Sequence, residues 1–69
     1  MDRELRTFER RTAKGWFPCR LIELWPGDVF RGFEPDGTSV YWDECTEFIA
    51  AGSAYILNGV ATVACDKLP

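Results

Sequence analysis

Histidine is absent from this 69-residue chain. That removes the usual general base near neutral pH, the commonest metal ligand, and every Ser–His or Cys–His nucleophile pair. Cysteine is scarce: Cys19, Cys45 and Cys65 are the three present. An odd number cannot all pair within one chain, and none lie in a C-x-x-C spacing. Both a disulfide framework and a structural zinc site are therefore disfavoured. The expectation is three reduced thiols in a cytoplasmic protein, with no metal and no other cofactor. The opening Met1-Asp2-Arg3-Glu4-Leu5-Arg6 lacks the apolar stretch of a secretory signal. No apolar run approaches the roughly 20 residues of a membrane span, so no membrane partner is expected. Phosphate-cradling glycine loops are missing, because Ala51-Gly52-Ser53 is short and leads into an expected strand. Asp36-Gly37 and Asp43-Glu44 do not have the spacing of a calcium loop. No acid–base or nucleophile constellation is left, and the chain is not expected to be an enzyme.

What the chain does have is aromatic residues, ten of them. Each ring buries roughly 150–250 Å², a large supply for a domain of this size, so some rings are expected to stay partly exposed. The length fits one domain, residues 1–69. Net charge is −3, unevenly spread. Residues 1–20 hold six cations against three acids, and residues 21–69 hold two against eight. The sequence reads as a basic head or arm on an acidic body. Such a head can meet an acidic partner, attract its own body, or pair with the next subunit of a homo-oligomer.

Residues 2–14 are expected to form a short helix. Asp2 is placed to cap it, Asp2 and Glu4 suit its N-terminus, and Arg10, Arg11 and Lys14 suit its C-terminus before Gly15. Its apolar stripe is thin, only Leu5 and Phe8 beside Thr12. Pro26-Gly27-Asp28 is a turn by its chemistry. Val29–Glu34 and Thr38–Trp42 flank Pro35-Asp36-Gly37 as a hairpin, Glu47–Ala50 is a short strand, and Tyr55–Leu57 and Val60–Cys65 flank the hairpin signal Asn58-Gly59. The expected fold is mainly β within the α+β class. An N-terminal helix would precede a five-stranded antiparallel meander or a small SH3-like barrel.

Leu24-Trp25-Pro26-Gly27-Asp28-Val29-Phe30-Arg31, followed by Glu34-Pro35-Asp36-Gly37-Thr38, resembles small proteins of tailed bacteriophages. Those proteins share an L-x-x-G-D-V-F-R…E-P-D-G-T core, and Thr46-Glu47-Phe48-Ile49-Ala50 and the Asn-Gly hairpin are also similar. The resemblance spans roughly residues 21–65 and leaves the basic head outside it. It implies a phage origin and carries no assigned activity.

The residues singled out for partner binding are Arg10, Arg11, Trp25, Trp42, Asp43, Glu44 and Glu47. Arg10 and Arg11 belong to the basic head. Trp25 and Trp42 flank the first expected hairpin, and Trp is the residue most enriched at interface hot spots. Asp43, Glu44 and Glu47 form either a solvated loop or an acidic face that mimics nucleic-acid phosphates to a basic partner. Arg31 shares a strand face with Val29 and Phe33 and is expected to pair with an acid. Direct nucleic-acid binding is disfavoured, because the aromatic sheet sits in the acidic body. The function expected is a non-catalytic protein–protein interaction module. It would bind and block a host enzyme or defence complex in the host cytoplasm. The alternative is a virion accessory, capsid-cementing or head–tail, whose basic arm contacts neighbouring subunits.

Overall fold

A computed structural model describes residues 6–68. Its strands are β1 (Thr7–Thr12), β2 (Gly15–Cys19), β3 (Val29–Phe33), β4 (Glu47–Ala50), β5 (Tyr55–Leu57), β6 (Val60–Thr62) and β7 (Cys65–Leu68), with one 3-10 turn at Leu21–Glu23. A five-stranded sheet runs β2-β1-β3-β4-β7, and β5 and β6 pair as a separate hairpin. Every pairing is antiparallel. The expectation of a mainly β, antiparallel protein holds.

The helix expected over residues 2–14 does not form. Its first residues lie outside those described, and residues 7–12 are strand β1. The charges along this stretch suited a helix dipole, yet a stripe of two apolar residues gave such a helix little to bury. As a strand, Thr7 and Phe8 stand opposite Phe33 and Gly32 of β3, and the ladder satisfies the backbone on both sides. Tertiary pairing outweighs weak local propensity here. Gly15, with φ +114°, closes the β1–β2 turn instead of capping a helix. Residues 7–19 of the expected arm are thus two of the five strands in the main sheet.

The strand order also departs from a simple meander, because β2 lies outside β1. Thr38–Trp42 is no continuous strand: the Glu34 amide donates to the Thr38 carbonyl at 2.7 Å and the Val40 amide to the Gly32 carbonyl at 2.9 Å around an isolated bridge of Ser39 to Phe33, and Trp42 bridges Cys45 instead. The turn before it forms as its chemistry dictates. The Gly37 amide donates to the Glu34 carbonyl at 2.9 Å, and the Thr38 amide and hydroxyl donate to Asp36 at 3.0 and 2.7 Å. Those bonds hold the Asp36 carboxyl below its ordinary range. Val60–Cys65 divides into β6 and the start of β7, the latter pairing with β4 as Ala50↔Cys65 through Glu47↔Leu68.

Alternation along β3 and β4 turns Phe30, Gly32, Phe48 and Ala50 inward. Leu24, Phe30, Phe48 and Ala50 are the buried core, with Phe8, Cys19, Leu21, Val63 and Cys65 packed against it. The rings of Phe8, Phe30 and Phe48 form a row, with centroids 6.5 and 5.8 Å apart. Phe8 fits because Gly32 has no side chain: a Cβ there would lie 2.9 Å from the Phe8 ring. On the opposite face Arg31 pairs with Glu9, its cross-strand neighbour, at 2.8 Å, and its guanidinium lies 4.1 Å from the Trp16 ring centroid. The expected ion pair of Arg31 is therefore with the head.

Candidate functional site

The seven residues singled out fall into three places. Arg10 and Arg11 are on β1, where Arg10 approaches Asp28 and Arg11 approaches Glu47, each at 3.8 Å. Arg6 adds a two-pronged contact to Glu34 at 2.9 and 3.2 Å. The head's cations thus answer the body's acids within one chain. These are exposed pairs, each contributing roughly 0–1 kcal/mol, so they orient β1 more than they stabilise it.

Trp25 opens the turn Trp25-Pro26-Gly27-Asp28. Pro26 presets φ at the first central position, and Gly27 supplies φ +92° at the second. The Asp28 amide donates to the Trp25 carbonyl at 3.0 Å, and the Trp25 amide donates to the Asp28 carboxylate at 2.9 Å. Reciprocal bonds at 2.8 Å from Gly27 to Ala50 and from Ala50 to Asp28 fix the turn to β4. The indole is left 69% exposed. It borders an open groove of about 460 Å³ shared with Arg10, Glu23 and Leu24.

The third place is the segment Tyr41–Cys45. Trp42 and Cys45 exchange two backbone hydrogen bonds of 3.0 Å across a two-residue turn. Asp43 and Glu44, the central pair, have φ of +53° and +67°. This is the primed turn that suits strand twist, and it ordinarily takes Asn-Gly or Asp-Gly. Glu44 enters the left-handed region without glycine's freedom. Lys67 braces the turn from β7, its ammonium 2.6 Å from Asp43 and 4.7 Å from the Trp42 ring centroid. Tyr41 and Trp42 remain 70% and 53% exposed. Asp43, Glu44 and Glu47 line one shallow depression of about 400 Å³ with Cys45, Thr46 and Leu68.

No family model, curated protein or solved structure matches this chain. The fold brings Trp42, Asp43 and Glu44 into one turn, with Glu47 beside them, and sets Trp25 with Arg10 at a second place. Sequence reasoning missed Tyr41 and Lys67. Tyr41 was signalled by standing next to Trp42 ahead of a polar loop, whereas nothing local links Lys67 to Asp43, 24 residues away. Among the described residues no three His, Cys, Asp or Glu side chains gather to hold a metal ion.

Replacing Glu44 by Gly should stabilise the fold. A left-handed L-residue costs roughly 1–2 kcal/mol and glycine's extra freedom when unfolded takes back 0.5–1, leaving a gain of about 0.5–1 kcal/mol. Urea denaturation measures it, and an unchanged or lower midpoint would mean the turn relaxes out of this conformation.

The thiols divide as well. All three are free. Cys19 and Cys65 pack against the core, and burial pushes both thiols up from the ordinary value. Only the thiolate reacts, so both should alkylate slowly in the native protein, and faster as pH rises. Cys45, which lies outside the core cluster, should be modified first. Mass spectrometry of a native iodoacetamide time course gives the order. Cys65 reacting first would place it outside the core.

Proposed function

We propose that this chain is a non-catalytic protein-interaction module that binds and blocks a host protein. The proposal includes a phage origin, which the resemblance of residues 21–65 supports, and action in the host cytoplasm. The observation that carries this reading is the Tyr41–Cys45 turn. Two adjacent exposed aromatic rings sit on a turn whose two acids are held in a left-handed backbone conformation braced by Lys67. Backbone strain of this kind persists where the surroundings impose it, often at binding sites. Aromatic anchors supply affinity, and neighbouring carboxylates select a basic surface and steer its approach. The partner chemistry is thus a basic, groove-bearing protein face, such as one that otherwise meets nucleic-acid phosphates. Arg10 and Arg11, paired within the chain, take the lesser part.

The second reading is a virion accessory, and the apolar β5–β6 hairpin favours it, since such a surface suits assembly in many copies. The basic arm no longer supports it, because residues 7–19 are built into the main sheet. A tagged copy expressed during infection separates the two when its captured proteins and the proteins of purified particles are identified by mass spectrometry. The proposal expects one host protein in near-stoichiometric amount and none of this chain in particles. Recovery of the chain in particles at many copies, with no host protein captured, would overturn it.

A further inference from the structure

One position in the Tyr41–Cys45 turn is already filled by a cation. The Lys67 ammonium lies 2.6 Å from the Asp43 carboxylate and 4.7 Å from the centroid of the Trp42 ring. A carboxylate and an aromatic ring that converge on one ammonium attract the same group twice, by charge and by the ring quadrupole. The occupant arrives from β7, whose register sets Lys67 opposite Phe48 of β4.

Three features set this contact apart from the other surface ion pairs. The turn fixes ring and acid relative to each other. Trp42 and Cys45 exchange two backbone bonds of 3.0 Å, and Asp43 is held between them at φ +53°. Both binding groups also face solvent: the Asp43 side chain is 69% exposed and the Trp42 ring half-exposed, whereas the Lys67 side chain is 34% exposed. Finally, one ammonium does not balance the acids. Glu44, next in the turn, pairs with no cation among the described residues, so the turn keeps a net negative charge with Lys67 in place.

We infer that Trp42 and Asp43 form the site for a lysine side chain of the protein partner, and that Lys67 is its resident occupant, which the incoming lysine displaces. The inference rests on the reading of this turn as the binding face and names the group that it takes. Exposed ion pairs and exposed cation–π contacts each contribute little net free energy, so Lys67 can leave for water without unfolding β7. While it stays, it lowers the apparent affinity for a competing lysine. At this one position the exchange is nearly balanced, one ammonium for another. Further contacts of the partner with Tyr41 and Glu44 drive it.

A capped tri-lysine peptide titrated into the full chain and followed by NMR tests the site. Lys14 and Lys67 are the chain's only lysines, so their ε-methylene signals are readily told apart. In the free protein the Lys67 signal should lie upfield, shifted by the Trp42 ring. On adding peptide it should move to the position of a solvated lysine, while the peptide's own ε-methylenes move upfield. The same peptide acetylated on its ammonium groups should do neither, because acetylation removes the charge. Lys67→Met should bind tri-lysine about fivefold more tightly than wild type, since its competitor is gone. Lys14→Met makes the same change in net charge at the β1–β2 turn and should alter affinity by less than about twofold. Should Lys67→Met disturb the turn, seen as shifted Asp43 and Glu44 amides, the displacement in wild type decides alone. Binding that leaves the Lys67 signal in place would overturn the inference. So would no binding, or an equal gain in both variants. Capture of a host protein at the turn without these effects would overturn the lysine assignment and leave the proposed function standing. Displacement of Lys67 with no host protein captured would support the site and count against that function.

Discussion

Phe30→Ala should leave the protein largely unfolded at room temperature. Phe30 is the middle ring of the row Phe8–Phe30–Phe48 and is 4% exposed. Its removal takes away apolar burial and leaves a cavity between β1 and β4 that neither neighbour can fill without breaking its ladder. Truncations of this type cost about 3–5 kcal/mol. A 69-residue domain buries only about 60% of the surface its unfolded chain exposes, and its whole stability is of the same order as that loss. Phe17→Ala is the matched control, since Phe17 stands half-exposed on the end strand β2. It should shift the urea midpoint far less. Equal losses at the two positions would mean the core does not lie on the Phe30 face of the sheet.

Trp42→Ala should weaken partner binding by about 2 kcal/mol, roughly 30-fold, while lowering stability by less than 1 kcal/mol. The indole is half-exposed, and within the fold its ring faces the Lys67 ammonium, so little packing is lost with it. Against a partner the same ring would be enclosed, where large rings contribute most. Asp43→Lys should act differently, slowing association and reducing its dependence on salt, because steering is electrostatic. Surface plasmon resonance with the captured partner separates the two through the off-rate and the on-rate. Unchanged affinity for Trp42→Ala, with an intact fold by circular dichroism, would remove the turn from the interface.

Much of the fold could be read from local signals. Asn58-Gly59, Pro26-Gly27 and Pro35-Asp36-Gly37 each require a particular backbone geometry, and each turn forms. Glu47–Ala50 and Tyr55–Leu57 have the expected bounds, because alternation and turn chemistry agree there. The N-terminal stretch departs from its expected helix for a physical reason. Thr7–Thr12 has β alternation only when seen against β3, since the inward position next to Phe8 is Arg10, whose partner Asp28 comes 18 residues later. The charge asymmetry had the same origin, being largely an intrachain match of head to body. Thr38–Trp42 follows β3 only at its start, where Glu34 donates to Thr38 and Val40 donates to Gly32 about the Ser39 bridge, because its far end is taken up by the turn in which Trp42 bonds Cys45. At the candidate site, Trp42, Asp43 and Glu44 were visible as an aromatic beside an acidic loop. Their left-handed backbone was not, because Asp-Glu lacks the glycine that normally marks this turn.

The central claim, that the Tyr41–Cys45 turn is the face that meets a protein partner, is tested most directly by site-specific photo-crosslinking. A photoreactive phenylalanine analogue replaces Tyr41 in one protein and Thr7, exposed on β1, in another. Both are expressed in infected cells, irradiated, and analysed by mass spectrometry. Position 41 should give one crosslinked host protein whose attachment site lies on a basic surface, and position 7 should give none. Crosslinking of that protein from position 7 with none from position 41 would contradict the account.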